Sequence, residues 1–343
     1  MRSRVGRVAN RMAIVGFSAL CLLVSCGSAS VTAARKGTAT HNPAAVSHAL
    51  PAAAGSISCQ AAASANAYLT CRYDGPNAAS MGFLLFVPQH PAPATATATG
   101  QTYPLVLVLH GGEEMANPKF SAAQNAAILK GQEYINVWGP GSPAGSGPSI
   151  QSRWPCYVVV PQTLMPSRWV GLPASVGSYA MSPQPSASLT MAMQIMELIQ
   201  RRYTDIDPGR RYITGISMGA YGVWDAIERW PTYFAAAVPA SGAGDPALAG
   251  ELVALPIWAF HGSVDKVVPV SGSRDMIRAI TAAGGQPRYT EYAGADHGIW
   301  HAVYGISDNP SNPLYPWLFA QRRGANGRSA SDADGSAPAH TFR

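Results

Sequence analysis

A serine framed by glycines is the feature of the sequence best suited to covalent chemistry. Segment 215–219, with the sequence GISMG, follows the β-branched stretch 211–214 and precedes a helix-like stretch that ends at Pro231. A strand, a sharp turn and a helix present a serine hydroxyl outside the turn, and the glycines permit the tight backbone. The positive end of the following helix favours an anion there. The sequence therefore predicts that Ser217 is a nucleophile.

A nucleophilic serine needs a general base, and the candidates lie near the end of the chain. His297 closely follows the alternating, strand-like stretch 288–292. It would take the serine proton and later return it to the leaving group. His301, four residues further on in a helix-like stretch, is the alternative base.

An acidic residue is expected to orient the histidine. Asp265 follows the apolar stretch 256–260, where it would hold the imidazole in one tautomer and stabilise the imidazolium. Asp245 follows the preceding strand-like stretch and Asp296 adjoins His297, so both are alternative acids. The sequence favours Asp265, which follows its strand in the chain order Ser, Asp, His, whereas Asp296 is adjacent to His297, which makes an inward hydrogen bond awkward.

The remaining parts of such a site are main-chain amides and a pocket. The apolar run 105–109 opens into His110 and two glycines, which predicts an oxyanion hole made by the N–H groups of Gly112 and Met218. His110 is expected to brace this loop. Three aromatic residues are candidate pocket walls, with packing in the core as the alternative: Trp169, Tyr179 and Trp224.

The elements that must position these residues alternate along the chain. Short apolar strands are followed by helical stretches from residue 105 onward. This alternation predicts an α/β fold with a mostly parallel, doubly wound sheet and helices on both faces. Binding sites in such sheets lie at the carboxyl ends of strands, and each candidate catalytic residue follows a strand. One domain is predicted over residues 57–323.

The N-terminal sequence indicates export. Segment 1–26 has four arginines before an apolar stretch too short to span a bilayer comfortably, which is typical of a secretory signal. It ends in LVSC, like the lipobox of bacterial lipoproteins, so Cys26 is a candidate for lipidation and the cell envelope or periplasm is the expected location. Cleavage a few residues later, with secretion, is the alternative. Residues 27–56 are predicted to be a disordered linker, and residues 324–343 a disordered tail.

Charge and cysteine content exclude some other functions. Loss of the four signal arginines, with no acid among residues 1–26, would lower the formal net charge from +6 to +2. No basic stripe remains, so nucleic-acid binding is not expected. No Cys/His spacing suggests a metal site. Cys59 and Cys71 are candidates for a disulfide in an oxidising compartment, and Cys156 is expected to be a buried, small apolar residue.

Three blocks of sequence resemble a known group. Residues 215–225, 234–239 and 261–270 are similar to secreted esterases also known as predicted peptidases, relatives of dienelactone hydrolases and of feruloyl or polyhydroxybutyrate esterases in the α/β-hydrolase superfamily. The resemblance covers about residues 80–322 and implies a serine carboxylic ester hydrolase without a cofactor. The chain departs from the group at Glu113-Glu114 and in the segment 294–312, which affects substrate contacts more than chemistry.

The expected activity is hydrolysis of carboxylic esters through an acyl-enzyme on Ser217, His297 and Asp265. The substrate would be a small or oligomeric ester, and the membrane would be met only through the lipid anchor. A peptidase or amidase, or a polyester depolymerase, using the same triad are the alternative enzymes. A binding protein on a hydrolase fold is the non-catalytic alternative, against which the intact triad argues.

Overall fold

The computed structural model describes residues 48–61, 67–89, 101–141, 149–173, 175–305 and 311–324. The predicted signal segment 1–26 with its Cys26, linker residues 27–47 and tail residues 325–343 lie outside these ranges. Within them the strands form one nine-stranded sheet in the order β1-β2-β3-β5-β4-β6-β7-β8-β9. The strands are β1 (Ser56–Gln60), β2 (Leu69–Asp74), β3 (Ser80–Phe86), β4 (Tyr103–Leu109), β5 (Tyr157–Gln162), β6 (Ile206–Ile216), β7 (Ala236–Ala240), β8 (Trp258–Gly262) and β9 (Arg288–Tyr292).

Most of the sheet is parallel, as the alternation of elements predicts. Strands β5, β4, β6, β7, β8 and β9 run parallel to their neighbours, whereas β1, β2 and β3 add an antiparallel edge that joins β5. Every residue of β4 is buried, because its two faces are both covered. The fold class predicted from the sequence is confirmed.

Helices cover both faces of this sheet. They are α1 (Ala122–Lys130), α2 (Glu133–Asn136), α3 (Ala187–Arg202), α4 (Met218–Arg229), α5 (Ser271–Ala282), α6 (Trp300–Tyr304) and α7 (Leu314–Ala320). One core contains buried residues of α3, α4 and α5, and the other contains residues of α1, α2, α6 and α7. Along β4 the side chains alternate between the two cores. No helix in the described ranges has the length and apolar character needed to cross a membrane.

The chain joins the domain earlier than predicted. Residues 48–55, assigned above to the disordered linker, contact the domain through main-chain carbonyl groups. Gln194 donates a hydrogen bond to Ala52 O at 3.2 Å, and Tyr73 donates one to Ala54 O at 3.0 Å. The prediction of disorder is wrong for residues 48–56, because these contacts use the main chain and composition gives no sign of them.

The cysteines of the described residues occupy two environments. Cys59 and Cys71 lie directly opposite each other in β1 and β2 and form a disulfide. Cys156 is a free thiol, fully buried before β5, and burial raises its pKa to about 12. A thiol in this environment stays protonated, so Cys156 behaves as an apolar core residue.

A buried ion pair fixes the loop between β5 and α3 to the end of α4. The Arg229 Nε atom lies 2.7 Å from Asp225 Oδ1, and both side chains are almost inaccessible. Arg229 Nη2 also donates hydrogen bonds to Ser182 O and Gln184 O, at 2.7 and 3.2 Å. Its Nη1 donates to Pro183 O at 3.3 Å, so the guanidinium group satisfies one buried carboxylate and three loop carbonyl groups at once.

Removal of this guanidinium should destabilise the domain strongly. Arg229→Met leaves the Asp225 carboxylate buried without its partner, and the free energy of unfolding is expected to fall by about 3–5 kcal/mol. Urea unfolding followed by circular dichroism measures the change, with Arg201→Met on the exposed side of α3 as the matched control. The double variant Asp225→Leu/Arg229→Met should recover part of the loss. If Arg229→Met lowered the free energy of unfolding as little as the control does, this role of the ion pair would be contradicted.

Candidate active site

The predicted nucleophile lies at a strained turn between β6 and α4. Ser217 has φ 50° and ψ −120°, a left-handed conformation that a residue with a Cβ atom rarely adopts. Its N–H donates a hydrogen bond to Ala240 O at 2.9 Å, which fixes the turn to the end of β7. Such strain costs about 1–3 kcal/mol and persists only where the surroundings impose it.

The glycines on either side of Ser217 are required by close approach. A Cβ atom on Gly219 would lie 2.0 Å from Leu109 O, and one on Gly215 would lie 2.7 Å from Gly219 O. Neither position tolerates a side chain. The first turn of α4 is therefore in direct contact with the carboxyl end of β4, next to the loop that begins at His110.

The structure brings together the three residues that the sequence predicts as a triad. His297 Nε2 lies 2.8 Å from Ser217 Oγ, and His297 Nδ1 lies 2.7 Å from Asp265 Oδ2. The serine hydroxyl can donate to Nε2 while the Nδ1–H group donates to the carboxylate, which fixes the tautomer. This is the hydrogen-bond order of a serine nucleophile, its base and the acid that orients the base.

Hydrogen bonds keep Asp265 ionised although its side chain is buried. Burial alone would raise the pKa of this carboxyl, but donors on both oxygens lower the pKa well below its usual range. His261 and His297 contact Oδ2, and the N–H groups of Val267 and Val268 each donate to Oδ1 at 2.8 Å. The carboxylate therefore remains a fixed negative charge beside the imidazole.

His261 is a part of this network that sequence reasoning missed. The side chain is fully buried, and its Nε2 faces two acceptors, Val268 O at 3.1 Å and Asp265 Oδ2 at 3.3 Å. Its Nδ1 lies 2.7 Å from Ser273 Oγ. A hydrogen on Nε2 points at both of these acceptors, one of which is the acid. The only signal in the sequence is the position of His261 in β8, four residues before Asp265.

The alternative acids and base lie elsewhere. His301 is on α6, more than half exposed, with Nδ1 3.7 Å from Glu133 Oε2. Asp245 accepts the Ala247 N–H as the cap of the short 3₁₀ helix Pro246–Leu252. Asp296 is half exposed and lies 3.1 Å from the ammonium group of Lys266. None of these three side chains occupies the position that Asp265 or His297 has.

The predicted oxyanion amides flank the serine turn. Met218 is the first residue of α4, and Gly112 follows the end of β4 by three residues. Among the described residues neither N–H group donates a hydrogen bond to the chain. A Cβ atom on Gly112 would meet no atom within 4 Å, so the space in front of this residue is open. Both amides are thus available to a ligand atom near Ser217.

His110 braces the loop that contains Gly112. Its Nδ1–H donates to Gly111 O at 2.6 Å, and its Nε2 accepts a hydrogen bond from the Thr163 N–H at 3.0 Å. Trp169 Nε1 donates to His110 O at 3.0 Å. These bonds require a neutral imidazole, and burial lowers the pKa of His110 from 6.5 to about 4.

The same loop contains two glutamates, Glu113 and Glu114. Glu113 is exposed, whereas Glu114 is buried, and burial raises the pKa of the Glu114 carboxyl. A Cβ atom on Gly111 would lie 3.1 Å from Glu114 Oε2, so this carboxyl group packs against the loop that contains Gly112.

The aromatic pocket walls proposed from the sequence are corrected by the structure. Trp169 and Trp224 are fully buried and belong to the core under α4, so neither can line an open pocket. Tyr179 stacks on Tyr221 with ring centroids 6.2 Å apart. The aromatic residue next to the triad is Trp300, whose ring centroid lies 5.1 Å from that of His297. Nothing in the sequence distinguishes Trp300 from the other tryptophans.

The arrangement suits nucleophilic substitution at an acyl carbon. It has a nucleophile, a base of fixed tautomer, an ionised acid and two unengaged amides, one at the serine turn and one in the loop after β4. Within the described ranges no group of three or more His, Cys, Asp or Glu side chains could hold a metal ion.

Comparisons with known proteins agree with this class of site. Residues 180–312, which include Ser217, Asp265 and His297, match the sequence model of the dienelactone hydrolase family. A crystal structure of a thermostable esterase is similar, with 32% identity and a TM-score of 0.56, over 75% of this chain and 63% of that one. A comparison with curated proteins found no match.

Two further structures are more distant. An acylaminoacyl peptidase from Pyrococcus horikoshii has 15% identity and a TM-score of 0.46 over 70% of this chain and 38% of its own. An S-formylglutathione hydrolase from Staphylococcus aureus has 14% identity and a TM-score of 0.46 over 74% of this chain and 98% of its own. The chain thus spans less than two thirds of the thermostable esterase and of the peptidase.

The fold, the serine turn and the esterase likeness agree on one class: the chain has the α/β-hydrolase fold. Its segment 180–312 is similar to the dienelactone hydrolase family. The resemblance expected from the three sequence blocks is confirmed.

The buried His110 should make the domain sensitive to acid. Its pKa is lower in the folded state than the ordinary 6.5, so its contribution is complete above about pH 6.5 and is lost as the pH falls toward 4. This linkage is worth about 3 kcal/mol. Urea unfolding at pH 7 and pH 4.5 should show a smaller loss of stability in His110→Gln than in the wild type. The free energies of unfolding of the two proteins should change in parallel between pH 7 and pH 8. If they also changed in parallel below pH 6, the prediction would be contradicted.

Proposed function

We propose that this protein is a serine hydrolase that cleaves carboxylic esters through an acyl-enzyme. The observation that carries the proposal is the chain of hydrogen bonds from Ser217 through His297 to Asp265, with the serine held in a strained turn at the N-terminus of α4. The similarity to a thermostable esterase over 75% of the chain supports esters as the substrate class.

The geometry supports a two-step reaction. His297 Nε2 takes the hydroxyl proton as Ser217 Oγ attacks the ester carbonyl carbon, and the N–H groups of Gly112 and Met218 stabilise the oxyanion. The protonated imidazole is stabilised by the Asp265 carboxylate and gives its proton to the departing alkoxide. Water, deprotonated by His297, then attacks the acyl-enzyme and releases the carboxylic acid and free Ser217.

The location of the enzyme is also a proposal. We expect the chain to be exported and held in the bacterial cell envelope through lipidated Cys26, or released after cleavage a few residues later. The disulfide between Cys59 and Cys71 supports an oxidising compartment. The ester substrate is the expected partner, and no nucleic acid is expected.

Labelling with a fluorophosphonate probe tests the nucleophile directly. The probe needs an activated serine and a functional oxyanion site, and we expect it to modify Ser217 in the purified protein, located by peptide mass spectrometry. Ser217→Ala should abolish labelling, whereas Ser182→Ala, at an exposed serine, should not change it. Absence of labelling in well-folded wild-type protein would contradict the catalytic proposal and favour a binding protein.

Substitution of the two neighbouring acids tests the order of the triad. Asp265→Asn removes the charge that fixes the His297 tautomer, and kcat/KM for p-nitrophenyl acetate should fall by about 10³–10⁴-fold. Asp296→Asn removes a carboxyl group that faces Lys266 and should retain kcat/KM within about threefold of the wild type, since exposed ion pairs contribute little. If Asp296→Asn were the more damaged variant, the acid would have to be reassigned.

A further inference from the structure

A cavity outside the triad lies between α1 and the antiparallel edge of the sheet. We call it the lateral groove, and its volume is about 310 Å³. Its walls come from β2, β3, α1, the loop after β4 and the end of β5, and they include Arg72, Gly82, Asn117, Phe120, Gln162 and Leu164. This volume is in the range of small-molecule sites.

The groove has an apolar rim that does not contribute to the core. Phe120 is 45% exposed and Leu164 is 48% exposed, and both line the groove. Met165, next in the chain, is 40% exposed. Single exposed apolar residues are ordinary, but two at the rim of one concave surface, with a third next in the chain, mark a surface that binds apolar matter.

The strand register relates the groove to the nucleophile. Leu107 pairs with Val159 of β5, and Leu109 pairs with Gly215 of β6, so β5 is two strands away from β6. Leu164 follows the end of β5, as Ser217 follows the end of β6. Two interstrand spacings separate the ends of β5 and β6 by roughly 10 Å, and both ends lie at the same edge of the sheet. The groove continues from there toward β3 and β2.

The lining residues restrict the chemistry of an occupant. Among the described residues that line the groove none is acidic, and Arg72 is the charged one. Its guanidinium group lies 2.6 Å from Asp74, which reduces its attraction for a free anion. The other lining side chains are apolar or neutral and polar. An uncharged chain with scattered carbonyl acceptors suits this surface, whereas a cation has no partner in it.

We propose that the lateral groove is a second subsite, which binds the apolar part of an elongated, uncharged ester whose scissile carbonyl group is at Ser217. The inference rests on the proposed esterase function and names its substrate class. The substrate is an ester with an uncharged chain that reaches at least roughly 10 Å from the bond that is cleaved, the separation derived from the strand spacing. A long-chain acyl ester and a linear oligoester both have this chemistry.

The test fills the groove without disturbing the triad. A Cβ atom on Gly82 would meet no atom within 4 Å, and strands favour tryptophan, so Gly82→Trp should fold and occupy the groove. We expect kcat/KM for p-nitrophenyl dodecanoate, below its micelle concentration, to fall at least tenfold while kcat/KM for p-nitrophenyl acetate stays within about twofold, since burial of each methylene contributes to binding. Gly250→Trp, at another open glycine, is the matched control and should change neither value.

A binding measurement separates this inference from the proposed function. In a Ser217→Ala background, isothermal titration with p-nitrophenyl dodecanoate and with a linear oligoester should give weaker binding when Gly82→Trp is added. Whichever of the two ligands is affected identifies the source of the chain. If Gly82→Trp weakens binding but the wild-type protein hydrolyses no ester, the esterase proposal is refuted and the subsite remains.

The subsite would be overturned if Gly82→Trp changed kcat/KM equally for the acetate and dodecanoate esters, or if it left the binding of both ligands unchanged. Normal hydrolysis of the acetate ester by the wild type would still support the esterase. Leu164→Asn makes the mouth of the groove polar without filling it, and the same selective loss is expected. This second variant keeps the inference testable if the bulky one does not fold.

Discussion

The contact between the first turn of α4 and the end of β4 is the constraint on which the rest of the site depends. Because Gly219 lacks a side chain, α4 can begin against Leu109 O, and because it begins there, Ser217 is forced into a left-handed conformation. That conformation turns the hydroxyl out of the sheet, toward the loops that follow β8 and β9. The same contact brings the N–H of Met218 near the loop of Gly112. A larger residue at position 219 would clash with Leu109 O and displace the start of α4, and with it Ser217 and the Met218 N–H group.

The electrostatics of the site follow from how each charge is held. Asp265 is buried, yet four donors hold it as a carboxylate, so its charge does not depend on the solvent. His110 is buried without a charge partner and stays neutral, which its two hydrogen bonds require. One buried group is thus fixed as an ion and the other as a neutral brace, each by its hydrogen bonds. His297 lies between the acid and the solvent-facing serine, where a proton can be taken and returned.

The sequence predicted the parts of the site that depend on local pattern. Ser217 was recognisable because a strand, two glycines and a helix surround it within a few residues, and Asp265 and His297 because each follows a strand. The fold class followed from the alternation of strands and helices. The prediction that Trp169 and Trp224 line a pocket was wrong, since burial of an aromatic ring depends on which distant elements cover it. His261 and Trp300 were missed for the same reason: their roles arise from contacts across strands and loops that no short pattern encodes.

The exposed large apolar side chains are concentrated at one edge of the sheet. Seven large apolar side chains in the described ranges are exposed, and five of them follow the carboxyl ends of β4, β5 and β8: Phe120, Leu164, Met165, Val264 and Val267. Side chains of the loops at this edge do not pack in the core, so they can be substituted without unfolding the sheet. The triad, in contrast, is fixed by buried hydrogen bonds and by glycines that cannot be replaced. The three residues of the proposed triad are thus held by the rigid core, whereas the exposed apolar side chains stabilise the fold little, and an apolar chain laid across them, as in the proposed subsite, would supply the burial they lack.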